Sequence, residues 1–136
     1  MIILDTSGLL CLLDSGEREH RQAVAAVEVD GGPLVTIDLV LAETDYLVLK
    51  RLGKAAERAL VAQLISGAIQ RESVTQADLK RALAILRRFD DQGLGLTDAA
   101  VMALTERLET RKVLTLDRRH FGPFRDRRGL ALELLP

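Results

Sequence analysis

Four carboxylates stand where chemistry is possible. Asp5 closes the opening stretch "MIILDTSGLL", where three aliphatic residues run into an acid, two hydroxyls and a glycine. Asp117 follows the aliphatic run "KVLTL" in the same way, Asp98 lies in "GLGLTDAAV", and Glu43 lies in "DLVLAETDYLVLKRLG". If the two aliphatic runs are parallel strands, Asp5 and Asp117 share the carboxyl edge of one sheet, beyond which ligands gather in open α/β folds. Asp98 sits in the first turn of a helix leading back into the 112–116 strand, so the same edge receives it. Each acid also has a plainer reading: Asp5 as a helix cap, Asp98 as a partner of a helix dipole, Asp117 as a turn residue. Those readings predict no relation among the three positions.

Glu43 adds to this. At about 100° per residue it falls among Leu39, Val40, Tyr46 and Leu47, with Lys50 one turn further on. A carboxylate in an apolar stripe is costly unless it is paired or keeps its proton. An arginine would answer that need, and so would a cation shared with the other acids. Four clustered carboxylates otherwise repel or take up protons. Oxygen donors select a hard ion, Mg²⁺ or Mn²⁺, and no cysteine or histidine cluster suggests zinc.

The elements that must position these acids alternate. The sequence predicts a strand at 2–4, helices over 7–14 and 17–29, a strand at 33–37, a helix from Asp38 (as its cap) to Leu52, and Gly53 in the left-handed position that ends a helix. A helix over 54–67, an extended piece near 69–74 and a helix to Phe89 follow, the last opened by the capping box "TQAD" at 75–78. After the loop "DDQGLGL", Thr97 is expected to cap a helix over 98–111, before strands at 112–116 and 130–135. Strands too apolar to face water, alternating with helices, argue for an α/β three-layer sandwich with a mostly parallel central sheet. At 136 residues, this is read as one domain over 1–136.

Composition narrows the function. The net charge of −1 makes no global case for nucleic acid or an anionic membrane, so any such case must be local. Residues 111–128 hold seven of the 19 basic side chains, and Arg118 and Arg119 stand beside Asp117, placed to meet flanking phosphates. A solvated surface loop, or a surface for an acidic partner, fits the same residues. Ser7, with Thr6, can bond ligand or substrate, although capping the first helix is the plainer role for Ser7. Asp91 is a further acid near the expected site. His20 and His120 read as exposed rather than as ligands. Phe121 and Phe124, around Gly122 and Pro123, read as loop anchors more than as base-stacking platforms. The lone Cys11 lies in an apolar helix and reads as a buried, inert thiol. No run of about 18 apolar residues and no basic leader is present, which predicts no membrane span or secretory signal and a cytoplasmic location.

The four pieces "MIILDTSGLL", "AETDYLVLKRLG", "GLGLTDAAVMALTERL" and "VLTLDRRHF", in this order and spacing, resemble the PIN domain, and within it the VapC-type toxin ribonucleases of toxin–antitoxin pairs. The family's acidic quartet carries onto Asp5, Glu43, Asp98 and Asp117, all of them acids here. The resemblance implies Mg²⁺- or Mn²⁺-dependent hydrolysis of single-stranded RNA, with Asp5, Asp98 and Asp117 holding the metal and Glu43 orienting a water or a second ion. It also implies a VapB-like antitoxin whose tail enters the groove, and a homodimer. Three other readings stay open: a housekeeping RNA-processing nuclease, a PIN-like RNA-binding module without turnover, and a phospho-acceptor domain. The last would want an acidic pair near the first strand and a late lysine, and "LDTSG" and "TLDRRH" supply neither.

Overall fold

The computed structural model describes residues 1–136. In chain order the elements are β1 (Ile2–Leu4), α1 (Thr6–Leu13), α2 (His20–Asp30), β2 (Leu34–Ile37), α3 (Asp38–Arg51), α4 (Lys54–Ser66), β3 (Ile69–Glu72), α5 (Gln76–Arg88), a 3₁₀ turn (Asp90–Gln92), α6 (Leu96–Arg107), β4 (Lys112–Leu114), α7 (Arg118–Phe121) and β5 (Glu133–Leu135). The five strands form one sheet in the order β3-β2-β1-β4-β5, and every pairing is parallel. The chain leaves the central β1 toward β2 and β3, then returns to add β4 and β5 on the other side. With right-handed crossovers this puts α1–α4 on one face and α5–α6 on the other. The carboxyl ends of β1 and β4 are therefore the point where strand order reverses, and an open α/β sheet has its crevice there.

Burial follows the aliphatic runs. All of β1 is solvent-free, and residues 99–105 of α6 are buried without interruption, so this helix is enclosed just past the turn that carries Asp98. Phe121 and Phe124 are fully buried anchors of the 118–125 segment, which removes them as base-stacking surfaces. Cys11 is buried too, and burial pushes its thiol up. No helix is long and apolar enough to cross a membrane.

Several local expectations hold and several move. The Thr75 capping box forms in both directions, Thr75 Oγ1 accepting from the Asp78 amide at 3.0 Å and Asp78 accepting from the Thr75 amide at 2.9 Å. Gly53 does not take the left-handed helical conformation expected of it: with φ +88° and ψ −176° it is an extended, glycine-favouring link that begins α4 after Leu52 ends α3. Asp38 does not cap α3. It is the first helical residue, with Ile37 before it, and its exposed carboxylate meets Arg71 at 3.4 Å. Thr97 does not cap α6 either, since the extended Gly95 starts the helix at Leu96 and leaves Thr97 inside it. The final strand is shorter than 130–135 because the Asp126 carboxylate gathers the Arg128 and Leu130 amides into a turn that passes Gly129 at φ +79°.

One close approach fixes the site's floor. A Cβ on Gly8, in the first turn of α1, would penetrate the Leu114 carbonyl at the end of β4. Both atoms belong to backbone, so nothing can rotate away. Gly8→Ala is expected to cost about 2–3 kcal/mol through forced separation of α1 from β4, read as a lowered denaturant midpoint with unchanged slope.

Candidate active site

Asp5 sits at the carboxyl end of β1, 4% exposed, and acts as the N-cap of α1: its Oδ1 accepts from the Gly8 amide at 2.6 Å. The Ser7 hydroxyl donates to the same carboxylate at 3.0 Å, and the Thr115 hydroxyl donates to Oδ2 at 2.7 Å. Burial is the largest influence on this group and lifts its pKa to about 6, although all three donors and only one acid, Asp98, act on it besides. Ser7 is not the cap of α1. Its oxygen instead accepts from the Leu116 amide at 2.9 Å, and Thr115 Oγ1 accepts from the Asp117 amide at 2.9 Å. The two hydroxyls thereby tie the loop after β4 to the end of β1.

Asp117 caps α7, accepting from the His120 amide at 3.0 Å through Oδ1 and from His120 Nδ1 at 2.7 Å through Oδ2. The other ring nitrogen, Nε2, stands 2.9 Å from the Gln92 carbonyl. Both partners only accept, so the contacts are satisfied by a doubly protonated ring. The Asp117 hydrogen bond is the main cause of the raised pKa of this histidine. Asp98, in the first turn of α6, is pushed upward by burial first and then by the charges of Asp117 and Glu43; His120 and the Gly95 amide pull the other way. Ligand atoms of Asp98, Asp117 and His120 lie within 4.8 Å of one another.

Glu43 reaches the site from α3, where Thr6 Oγ1 donates to its Oε2 at 2.7 Å. It is exposed, not embedded in an apolar stripe. The buried stripe of α3 is Val40, Thr44 and Val48, one residue round from the expected phase, and Tyr46 faces solvent. All four acids line one cavity of about 310 Å³, together with Thr6, Ser7, Leu10, Leu47 and Arg51. No lysine or arginine forms an ion pair with any of the four, as the chain's Arg and Lys ion pairs lie elsewhere.

The basic segment behaves differently from its sequence reading. Arg118 donates to the Pro136 carbonyl at 2.6 Å, Lys112 pairs with Asp30, Arg111 donates to the Ala131 carbonyl, and Arg127 lies 3.5 Å from Glu106. Arg119 is exposed, and neither it nor Arg118 lines the acidic cavity. Asp91 is exposed and also outside it; the 3₁₀ turn that contains it contributes the Gln92 carbonyl to His120 instead. A larger cavity of about 400 Å³, at the far end of α6, is floored by the paired groups Arg81–Glu106 and Arg107–Asp78. His20, half-buried, is 2.8 Å from the Cys11 carbonyl.

A family model described as the PIN domain matches residues 2–126. Ribonuclease VapC26 of Mycobacterium tuberculosis is 37% identical over 135 residues, covering 99% of this chain and all of the relative. The chain belongs to the PIN domain family, among the VapC-type ribonucleases. Among solved PIN domains, VapC20 of M. tuberculosis, described as a toxin that cleaves the sarcin–ricin loop, superposes with a TM-score of 0.81 at 25% identity over the full length of both chains. The VapBC2 structure from Rickettsia felis shares the fold, with a TM-score of 0.71 at 16% identity over the full length of both chains.

Within this PIN domain the donor set fits a hard divalent cation. Two of the carboxyls hold protons above their usual range, with burial the largest cause in both and only His120 acting as a nearby positive charge on Asp98. The available ligand atoms are nearly all oxygen, since the His120 nitrogens are committed to Asp117 and Gln92. Two groups depart from the sequence reading: His120, expected to be exposed, is half-buried against Asp117, and Arg51, which lines the cavity, was not singled out. His120 is hidden by its isolation in sequence, whereas Arg51 was visible in principle, because Glu43, Leu47 and Arg51 recur every four residues along one face of α3.

The raised pKa of Asp5 has a measurable consequence without metal. Between about 4 and about 6 the folded chain holds a proton that the unfolded chain has released, so stability falls as pH rises through this window and stays lower above it. Asp5→Asn keeps an acceptor for the Gly8 amide and removes the buried charge. In chelator at pH 7.5 it is expected to raise stability by on the order of 1–3 kcal/mol. Adding Mn²⁺ should then raise Tm in the parent protein and leave the variant unmoved, as followed by thermal melts.

Proposed function

We propose that this chain is a metal-dependent endoribonuclease that cleaves single-stranded RNA as the toxin of a toxin–antitoxin pair. The observation that carries the reading is the convergence of Asp5, Glu43, Asp98 and Asp117, from four separate stretches, on one cavity at the carboxyl ends of β1 and β4 with no arginine or lysine paired to them. A binding module without turnover gains nothing from such a concentration of negative charge. The curated relative named as a ribonuclease, aligned from end to end, supports the activity.

Asp5, Asp98 and Asp117 are the residues that would hold Mg²⁺ or Mn²⁺. When bound, the ion lowers the pKa of a coordinated water and offsets negative charge developing on the phosphate. Ser7 and Thr115 fix the Asp5 carboxylate by hydrogen bonds, and they register the 115–117 loop against it. Ser7 supports the site through these bonds and also lines the cavity. Thr6 fixes Oε2 of Glu43 and leaves Oε1 to accept a proton from the attacking water. Arg119, exposed and without an ion-pair partner, remains available to a flanking phosphate; Arg118 is engaged by the Pro136 carbonyl.

Solved relatives of this fold include VapBC complexes, which supports an antitoxin partner here. The open, acid-lined cavity suits a basic group at the end of such a partner. A homodimer, with RNA entering the same groove, completes the reading.

Asp98→Asn is expected to lower cleavage of a labelled single-stranded RNA by about 100-fold or more, beyond the 10–100-fold seen for residues that only support metal ligands. Its melting curve should persist. EDTA should abolish cleavage by the parent protein, and Mg²⁺ or Mn²⁺ should restore it. Full activity in EDTA, or in the variant, would overturn the assignment.

A further inference from the structure

The acids that suit this cavity to a cation make it hostile to RNA, whose backbone is negative throughout. Something in the cavity has to receive phosphate. The segment richest in arginine supplies no such group inside the cavity, because Arg118 is held by a carbonyl and Arg119, available only to a phosphate outside, does not line it. Arg51 is the one cationic side chain that does. It lies in the last turn of α3, is exposed, and has no ion-pair partner, although four carboxylates line the same space. Eight residues separate it from Glu43, about 12 Å along the helix axis. That spacing keeps its guanidinium from neutralising Glu43 while leaving both on one face of α3.

We propose that Arg51 is the phosphate-binding residue of the cavity, taking the backbone phosphate next to the one being cut. This rests on the ribonuclease reading given above. The acids gather the cation at one end of the cavity, and the guanidinium receives the neighbouring phosphate at the other through two parallel N–H bonds. Arg51 therefore sets where the strand lies and takes no part in bond cleavage. Its position at the carboxyl end of α3 also favours a positive charge. Because the side chain is exposed and has no ion-pair partner, its removal leaves the fold in place.

The proposal separates binding from turnover and can be read without cleavage. In the Asp98→Asn background, Arg51→Ala is expected to weaken binding of a fluorescently labelled single-stranded RNA by about tenfold and to reduce the slope of log K against log salt by about 0.7. Arg51→Lys should recover part of the affinity but not all, since a point charge replaces the fork. In the otherwise unaltered protein, Arg51→Ala should raise KM by about tenfold with kcat within about twofold. It should bind Mn²⁺, followed by electron paramagnetic resonance, equally or more tightly, because a repelling positive charge is gone. Unchanged RNA affinity overturns the proposal, as does a parallel loss of Mn²⁺ affinity, which would make Arg51 a structural support of the acids. Unchanged RNA affinity with weaker capture of an acidic peptide would likewise overturn it and reassign Arg51 to a protein partner. If the unaltered protein cleaves no RNA at all, the ribonuclease reading fails while the binding measurement still decides Arg51.

Discussion

The structure depends on one buried carboxylate. Asp5 ends the central strand in a place where water scarcely reaches, and it is tolerated there because an amide and two hydroxyls point at it. The amide begins α1 and one hydroxyl follows β4, so a single side chain joins three elements. Capping a helix and lying in an acidic site, which read as alternatives along the sequence, are one arrangement: the donors that complete the helix also keep the acid in position. Ser7 and Thr115 then pass the constraint on, each accepting the amide of a residue in the 116–117 stretch. Asp117 is thus set relative to Asp5 by hydrogen bonds, independent of any ion.

The second organising fact is where positive charge has gone. A chain with almost no net charge achieves a strongly negative cavity by spending its arginines elsewhere. Arg81 grips Glu106 through two bonds of 2.7 and 2.8 Å, and Arg107 spans Asp78, Glu72 and the Ser73 carbonyl, so the α5–α6 pair is clamped at the end distant from Asp98. Lys112 is held by Asp30. The Arg81 and Arg107 pairs stiffen the helix that presents Asp98 and leave its first turn with no arginine or lysine partner.

Much of this was legible beforehand, for identifiable reasons. Aliphatic runs broken by acids marked β1 and β4, and their parallel pairing put Asp5 and Asp117 on one edge, as expected. Thr75 and Asp78 announced their capping box because both partners lie within one turn. The failures occur where a tertiary partner decides. Asp38 looks like a cap, but Arg71 from another strand engages it and the helix starts on it. The phase of α3 was misjudged because apolar residues surround that helix on nearly all sides, so a stripe through Glu43 looked as good as the true one through Thr44. Arg118 seemed free only because its acceptor, the Pro136 carbonyl, stands 18 residues away. His120 gave no sequence signal, since its role arises from two contacts made in space.

The histidine's second anchor has an implication for reading relatives of this chain. Gln92 offers His120 its main-chain oxygen and not its amide side chain. Any amino acid that lets the short turn keep its shape can therefore stand at 92. The strut linking that turn to the acidic centre leaves no fingerprint at the position that supplies it, and an inventory of invariant side chains would pass it by.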